Sequence, residues 1–133
     1  MNDLLLDTHT FLWFSNDDAL LPKSVSSALE DPAARLFLSI VSTWEIAIKH
    51  GSGRLDLSLP FNELVFEAPA KRGIDLLIIE PRHVVRYSTV GFPNQDHRDP
   101  FDRMLVAQSL EDGLTLVSRD AKLDAYGVPL LWG

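Results

Sequence analysis

The chain has 133 residues, 46% of them apolar and 23% charged, the composition of an ordinary globular protein long enough to bury one core. It contains no cysteine, which excludes disulfides and thiolate metal sites, and no apolar run near the roughly 20 residues that span a bilayer. A formal net charge of −7 argues against a surface that grips nucleic acid through Lys and Arg alone. One domain over 1–133, located in the cytoplasm, is the expectation; Met1-Asn2-Asp3-Leu4 lacks the basic start of a signal peptide.

Strand-like and helix-like segments alternate along the chain. Leu4-Leu5-Leu6 is a short apolar run, expected as a buried strand. Thr8 to Phe14 and Pro22 to Glu30 read as helices, with Pro22 placed for a first turn. Leu36 to Ile40 is strand-like, and Ser42 to His50 is amphipathic and closed by Gly51-Ser52-Gly53. Phe61 to Lys71 reads as a helix, Asp75 to Ile79 as a strand, Pro81 to Ser88 as a short helix and Gly91 to Asp99 as a polar loop. Pro100 to Asp112 is a strong helix stopped by Gly113. Leu114 to Val117 is a strand, Ala121 to Ala125 a short helix, and Val128 to Trp132 a last apolar segment. Strands separated by helices imply an α/β fold: a parallel sheet of about five strands flanked by helices on both faces. In such sheets ligands bind beyond the carboxyl ends of the strands.

Acids fall at those ends. Asp7 follows Leu4-Leu5-Leu6, Glu45 is expected in the first turn of the Ser42 helix, Asp102 lies in the first turn of the Pro100 helix, and Asp120 follows Leu116-Val117-Ser118-Arg119. Asp99 immediately precedes Pro100. Each has a structural alternative. Ser42-Thr43-Trp44-Glu45 has the form of a capping box with Ser42 as N-cap. Asp99 can cap the Pro100 helix while Asp102 favours its positive end, and Asp7 and Asp120 suit turns or caps. Taken singly, capping is the commoner role. Assembled on one sheet edge, the carboxylates repel one another and require a cation, and hard divalent ions such as magnesium and manganese prefer carboxylate oxygen. Setting aside the charge of these five acids leaves −2, a nearly balanced remainder.

At these residues the sequence resembles the PIN-domain family, in the form found among VapC-like toxins of type II toxin–antitoxin pairs. Leu4-Leu5-Leu6-Asp7-Thr8-His9 resembles its opening motif and Ser42-Thr43-Trp44-Glu45-Ile46-Ala47-Ile48-Lys49 its second. His97-Arg98-Asp99-Pro100-Phe101-Asp102-Arg103-Met104-Leu105-Val106-Ala107-Gln108 resembles the third, and Leu116-Val117-Ser118-Arg119-Asp120 the last. Each motif alone is weak; four in order, at strand ends, are specific. The resemblance implies a Mg2+-dependent endoribonuclease, with Mn2+ as substitute, whose catalytic and metal-binding acids are Asp7, Glu45, Asp102 and Asp120. Metal-activated water would hydrolyse the phosphodiester and leave a 5′-phosphate and a 3′-hydroxyl. Asp99, His9 and Ser118 would stand beside the ligands or the substrate; many relatives have Asn where this chain has His9. Of the nearby cations Lys49, Arg98, Arg103, Arg119 and Lys122, the three arginines are favoured for phosphate contact. The resemblance also implies a small VapB-like antitoxin, placed against Trp13 and Phe14, and a homodimer.

Two other readings stand beside this one. A PIN-like module that only binds RNA or protein would share the fold without the chemistry. A phosphatase of the haloacid dehalogenase type also opens with a strand and an Asp, but it requires a second Asp where this chain has His9.

Overall fold

The computed structural model describes residues 3–93 and 99–133. Five strands, β1 (Asp3–Leu6), β2 (Arg35–Ser39), β3 (Ile74–Leu77), β4 (Thr115–Val117) and β5 (Leu130–Leu131), form one parallel sheet in the order β3-β2-β1-β4-β5. Helices cover both faces, as the alternation of segments requires. Because successive side chains on a strand point to opposite faces, β1 feeds two cores. Leu4 and Leu6 join Leu36, Leu38 and Val117 in a cluster completed by Phe11 and Phe14 of α1 (Thr8–Ser15) and by Val25 and Leu29 of α2 (Lys23–Glu30). Leu5 and Leu116 face the other way, toward Val41 of α3 (Ile40–Gly51) and toward Leu105 and Val106 of α6 (Pro100–Asp112).

The chain runs outward from β1 through β2 to β3, then crosses back to lay β4 on the other side of β1. The topological switch point therefore lies between β1 and β4, and the crevice beyond their carboxyl ends is the place where open parallel sheets bind ligands. Asp7 follows β1 directly, and its backbone N–H donates to Val117 O at 3.1 Å, so the ends of the two strands are tied at this point. Thr10 adds a second tie, its hydroxyl donating to the same carbonyl at 3.0 Å.

Three local expectations need correction. β2 ends at Ser39 and α3 begins at Ile40, so the capping box on Ser42 does not form. Ser39 is the N-cap: its Oγ accepts from the Val41 N–H at 3.1 Å and donates to Gln108 Oε1 of α6 at 2.6 Å. Ser42 lies inside the helix with its Oγ buried and without a hydrogen-bond partner. Glu45 is consequently the sixth residue of α3, not a first-turn residue. The segment read as one helix over Phe61 to Lys71 contains a π-helical stretch, Glu63–Glu67, ahead of α4 (Ala68–Lys71). Pro69, which has no N–H to give to the carbonyl four residues back, sits just after it.

The remaining helix, α5 (Pro81–Tyr87), is locked to the end of α6. Arg82 donates twice to the Asp112 carboxylate, at 3.0 and 3.1 Å, and the fully buried His83 meets it through Nε2 at 2.8 Å. Burial pushes the Asp112 carboxyl up, but the bonds from Arg82 and His83 outweigh that effect and hold it below the usual carboxylate range. The far end of α6 is thereby fixed, while its first turn projects to the switch point. Asp99 caps that turn as expected, accepting from the N–H groups of Phe101 and Asp102 at 2.8 and 3.3 Å, with Pro100 in the first helical position. Gly113 closes the helix at φ 67°, a left-handed conformation that glycine adopts without strain.

Candidate active site

A cavity of about 480 Å³ lies at the switch point, and all five singled-out acids line it: Asp7, Glu45, Asp99, Asp102 and Asp120. They arrive from four places: the end of β1, α3, the start of α6 and the turn after β4. Lys49 and Arg119 are the cations of the lining, so at neutral pH its formal charge is −3. A polyanion cannot approach such a surface favourably unless a cation intervenes.

Capping and facing the cavity are compatible here. Asp7 caps α1, but only through Oδ1, which accepts from the Thr10 N–H at 2.8 Å. Asp120 caps the 3₁₀ turn Ala121–Tyr126, again through Oδ1, accepting from the Lys122 N–H at 3.0 Å. Asp99 likewise uses Oδ1 alone. Each helix start thus orients one carboxylate and leaves its second oxygen outside the cap. The choice posed by the sequence, cap or ligand, is not exclusive. Ser118 serves the same geometry: buried at the end of β4, its Oγ accepts from the Asp120 N–H at 3.1 Å and shapes the turn that carries Asp120.

Glu45 is held differently. Its side chain is 7% exposed, with Oε1 accepting from the Thr8 hydroxyl at 2.6 Å and Oε2 paired to Lys49 Nζ at 2.8 Å. Neither the Thr8 bond nor the Lys49 pairing follows from the acidic motifs. Lys49 stands four residues after Glu45 on a helix, a spacing that signals an ion pair; nothing local signals that Thr8 reaches α3. His9 lies exposed on the rim, its ring 5.7 Å from that of Trp13, which is half-buried and also packs on Trp132 at 6.0 Å. Arg119 is exposed at the cavity edge.

Two expected site residues are placed elsewhere. Arg103 is buried at 3% exposure, stacked at 3.7 Å over Phe92, and it donates to Gly91 O and to the Tyr126 hydroxyl. It anchors the loop beyond α5 and does not line the cavity. Phe14 is 4% exposed in the core, with Arg72 stacked at 3.9 Å on its ring, and offers no docking surface. Both corrections have one cause. Neighbouring helix residues project about 100° apart, so when Asp102 and Trp13 face the cavity, the residues after them turn away. Arg98 lies outside the described residues.

Arg103 and Arg119 should therefore separate cleanly on substitution. Arg103→Ala removes a buried, hydrogen-bonded cation and is expected to cost about 3 kcal/mol in chemical denaturation. Arg119→Ala should change stability by less than about 0.5 kcal/mol. Equal destabilisation by the two would contradict this placement.

The lining offers five carboxylates, one imidazole from His9 and no thiol, a donor set that suits a hard divalent cation. Among the described residues, no group of three or more His, Cys, Asp or Glu side chains is arranged to hold an ion as it stands.

The PIN domain model matches residues 4–129, nearly the whole chain. The chain belongs to the PIN-domain family. Among curated relatives, Ribonuclease VapC22 of Mycobacterium tuberculosis is 29% identical over 129 residues, covering 97% of this chain and 95% of that protein. The fold is shared with the Rickettsia felis VapBC2 structure bound to a promoter DNA fragment, at TM-score 0.74 and 13% identity over 98% of this chain and 99% of that one. It is shared also with VapBC-1 from nontypeable Haemophilus influenzae, at TM-score 0.69 and 17% identity over 97% and 96% of the two chains. The PIN fold brings the acids of the four motifs around one cavity, and membership of this family sets aside the dehalogenase-type phosphatase. Among the described residues, no helix is long and apolar enough to cross a membrane.

Proposed function

We propose that this PIN domain is a divalent-metal-dependent endoribonuclease and the toxin of a VapBC-like pair. The observation that carries the reading is the meeting of Asp7, Glu45, Asp99, Asp102 and Asp120 around one cavity at the β1–β4 switch point. Asp7, Asp102 and Asp120 would hold Mg2+, or Mn2+ in its place, with Glu45 direct or through water. Bound there, the cation supplies positive charge to the phosphoryl oxygens and makes a bound water acidic enough to attack phosphorus at neutral pH.

The chain's own residues do the rest. The caps of α1 and of the 3₁₀ turn hold Asp7 and Asp120 at the cavity before any ligand arrives. Asp99 holds the first turn of α6 and thereby aims Asp102. His9 and Arg119, on the rim, are placed to meet the phosphates flanking the scissile bond. The chain hydrolyses RNA without a covalent intermediate; no nucleophilic triad is needed.

The relatives' names support a small antitoxin partner. On this reading it covers the acidic cavity next to Trp13, with an Arg replacing the metal's charge; Phe14 contributes only from the core. A homodimer has a second candidate surface, the apolar face where Trp44, 60% exposed, lies beside Val84 of α5, 54% exposed. Sedimentation of the wild type against Val84→Asp tests it: a dimer that survives the charge excludes this face.

Purified protein supplied with Mg2+ should cut RNA and leave a small aryl phosphate monoester intact. RNA binding without cleavage would favour the non-catalytic module, and turnover of the monoester alone would contradict the nuclease reading.

A further inference from the structure

Lys49 lies inside the acidic cavity, yet no step above employs it. Its ammonium is 2.8 Å from Glu45 Oε2, and the two side chains are unequally exposed, 33% for Lys49 and 7% for Glu45. The Thr8 hydroxyl occupies the other oxygen at 2.6 Å. Glu45 therefore differs from Asp7, Asp99 and Asp120, which each spend one oxygen on a cap. Both of its oxygens are engaged by donors, and one of those donors is a full positive charge. A divalent ion reaching for Glu45 would have to displace Lys49 or settle beside it, and like charges in a half-buried site oppose each other strongly.

We propose that Lys49 is the resident counter-ion of the cavity: it holds Glu45 against α3, outside direct contact with the metal, and it weakens divalent binding by electrostatic competition. This inference rests on the metal-site reading above. The aspartates then carry the inner contacts, and Glu45 acts through water. An ordinary surface pair four residues apart on a helix would do neither, because solvent would screen it. The burial of Glu45 and its second bond, to Thr8 from a different element, distinguish this pair from such a case.

The test reads metal affinity and needs no turnover. Mn2+ is titrated into the protein, and the free ion is followed by electron paramagnetic resonance. Lys49→Met keeps the aliphatic stem and a strong helix former while removing the charge. It should bind Mn2+ about tenfold more tightly or better, the scale on which a charge at 4–6 Å moves a carboxylate's proton affinity. Lys49→Gln, a second neutral variant, should tighten binding in the same direction, which guards against one variant that folds poorly. Lys49→Arg keeps the charge and should stay within about twofold of the wild type. Unchanged or weaker Mn2+ binding in both neutral variants overturns the proposal, as does equal tightening in Lys49→Arg. Loss of RNA affinity at unchanged Mn2+ affinity would make Lys49 a phosphate contact instead and also overturns it. If neither wild type nor variants bind Mn2+, the metal-site reading itself fails, and this proposal with it.

Discussion

Asp7→Asn is expected to lower RNA cleavage by about 100-fold or more, since even partners of metal ligands are worth about 10–100-fold. In EDTA the variant should be no less stable than the wild type, because the cap survives and a repelling charge is removed. The two outcomes part because Asn caps a helix as well as Asp does: its side-chain oxygen can keep the 2.8 Å bond from the Thr10 N–H while the negative charge disappears. Asp7→Ala removes both charge and cap, and should be about 1 kcal/mol less stable than Asp7→Asn with the same loss of activity. Asp56→Asn, at an exposed site outside the cavity, serves as the control. Cleavage by paired wild-type, Asn and Ala proteins, with denaturation curves for each, reads both quantities. Activity retained in Asp7→Asn would remove Asp7 from the chemistry and leave it a cap.

The second large effect is thermal. Five carboxylates around one cavity repel, and Lys49 and Arg119 offset only part of that charge. Asp102→Asn should therefore melt at a higher temperature than wild type in EDTA. Were Asp102 only a favourable charge at the start of α6, the substitution would instead cost about 0.5–1 kcal/mol. Manganese should reverse the order. At about 100 times its dissociation constant, an ion bound only by the native state adds roughly 2.7 kcal/mol. The wild type should gain that amount and Asp102→Asn much less. Lower melting of the variant in EDTA, with an equal response of both proteins to Mn2+, would assign Asp102 a structural role.

The sheet was readable because its strands are buried on both faces and so appear as short unbroken apolar runs, Leu4-Leu5-Leu6 above all. The acids were readable for a related reason: they sit where strands end and helices begin, which are chain-local positions. What the sequence concealed depends on contacts between distant elements. The boundary at Ser39 is hidden because Ile40 and Val41 continue the apolar run of β2, and the Gln108 amide oxygen that receives the Ser39 hydroxyl lies far along the chain. Thr8 meets Glu45 only once α1 and α3 are packed. Arg103 and Phe14 are adjacent in sequence to cavity residues but face away from them, since sequence neighbours on a helix point different ways. Arg103 in particular is drawn inward by Phe92, Tyr87 and Tyr126, whose rings gather around a guanidinium that no local pattern announces.

The central claim, hydrolysis of RNA by a cation held among these carboxylates, is tested most directly by the ends of the products and their dependence on metal. Purified protein is incubated with an end-labelled structured RNA in Mg2+, in Mn2+ and in EDTA, and the new termini are identified. Cleavage should occur in Mg2+ or Mn2+, stop in EDTA, and leave 5′-phosphate and 3′-hydroxyl ends, because water attacks phosphorus and the bond to the 3′-oxygen breaks. Cleavage that persists in EDTA, or products ending in 2′,3′-cyclic phosphate, would mean that the RNA's own 2′-hydroxyl is the nucleophile and would contradict the account.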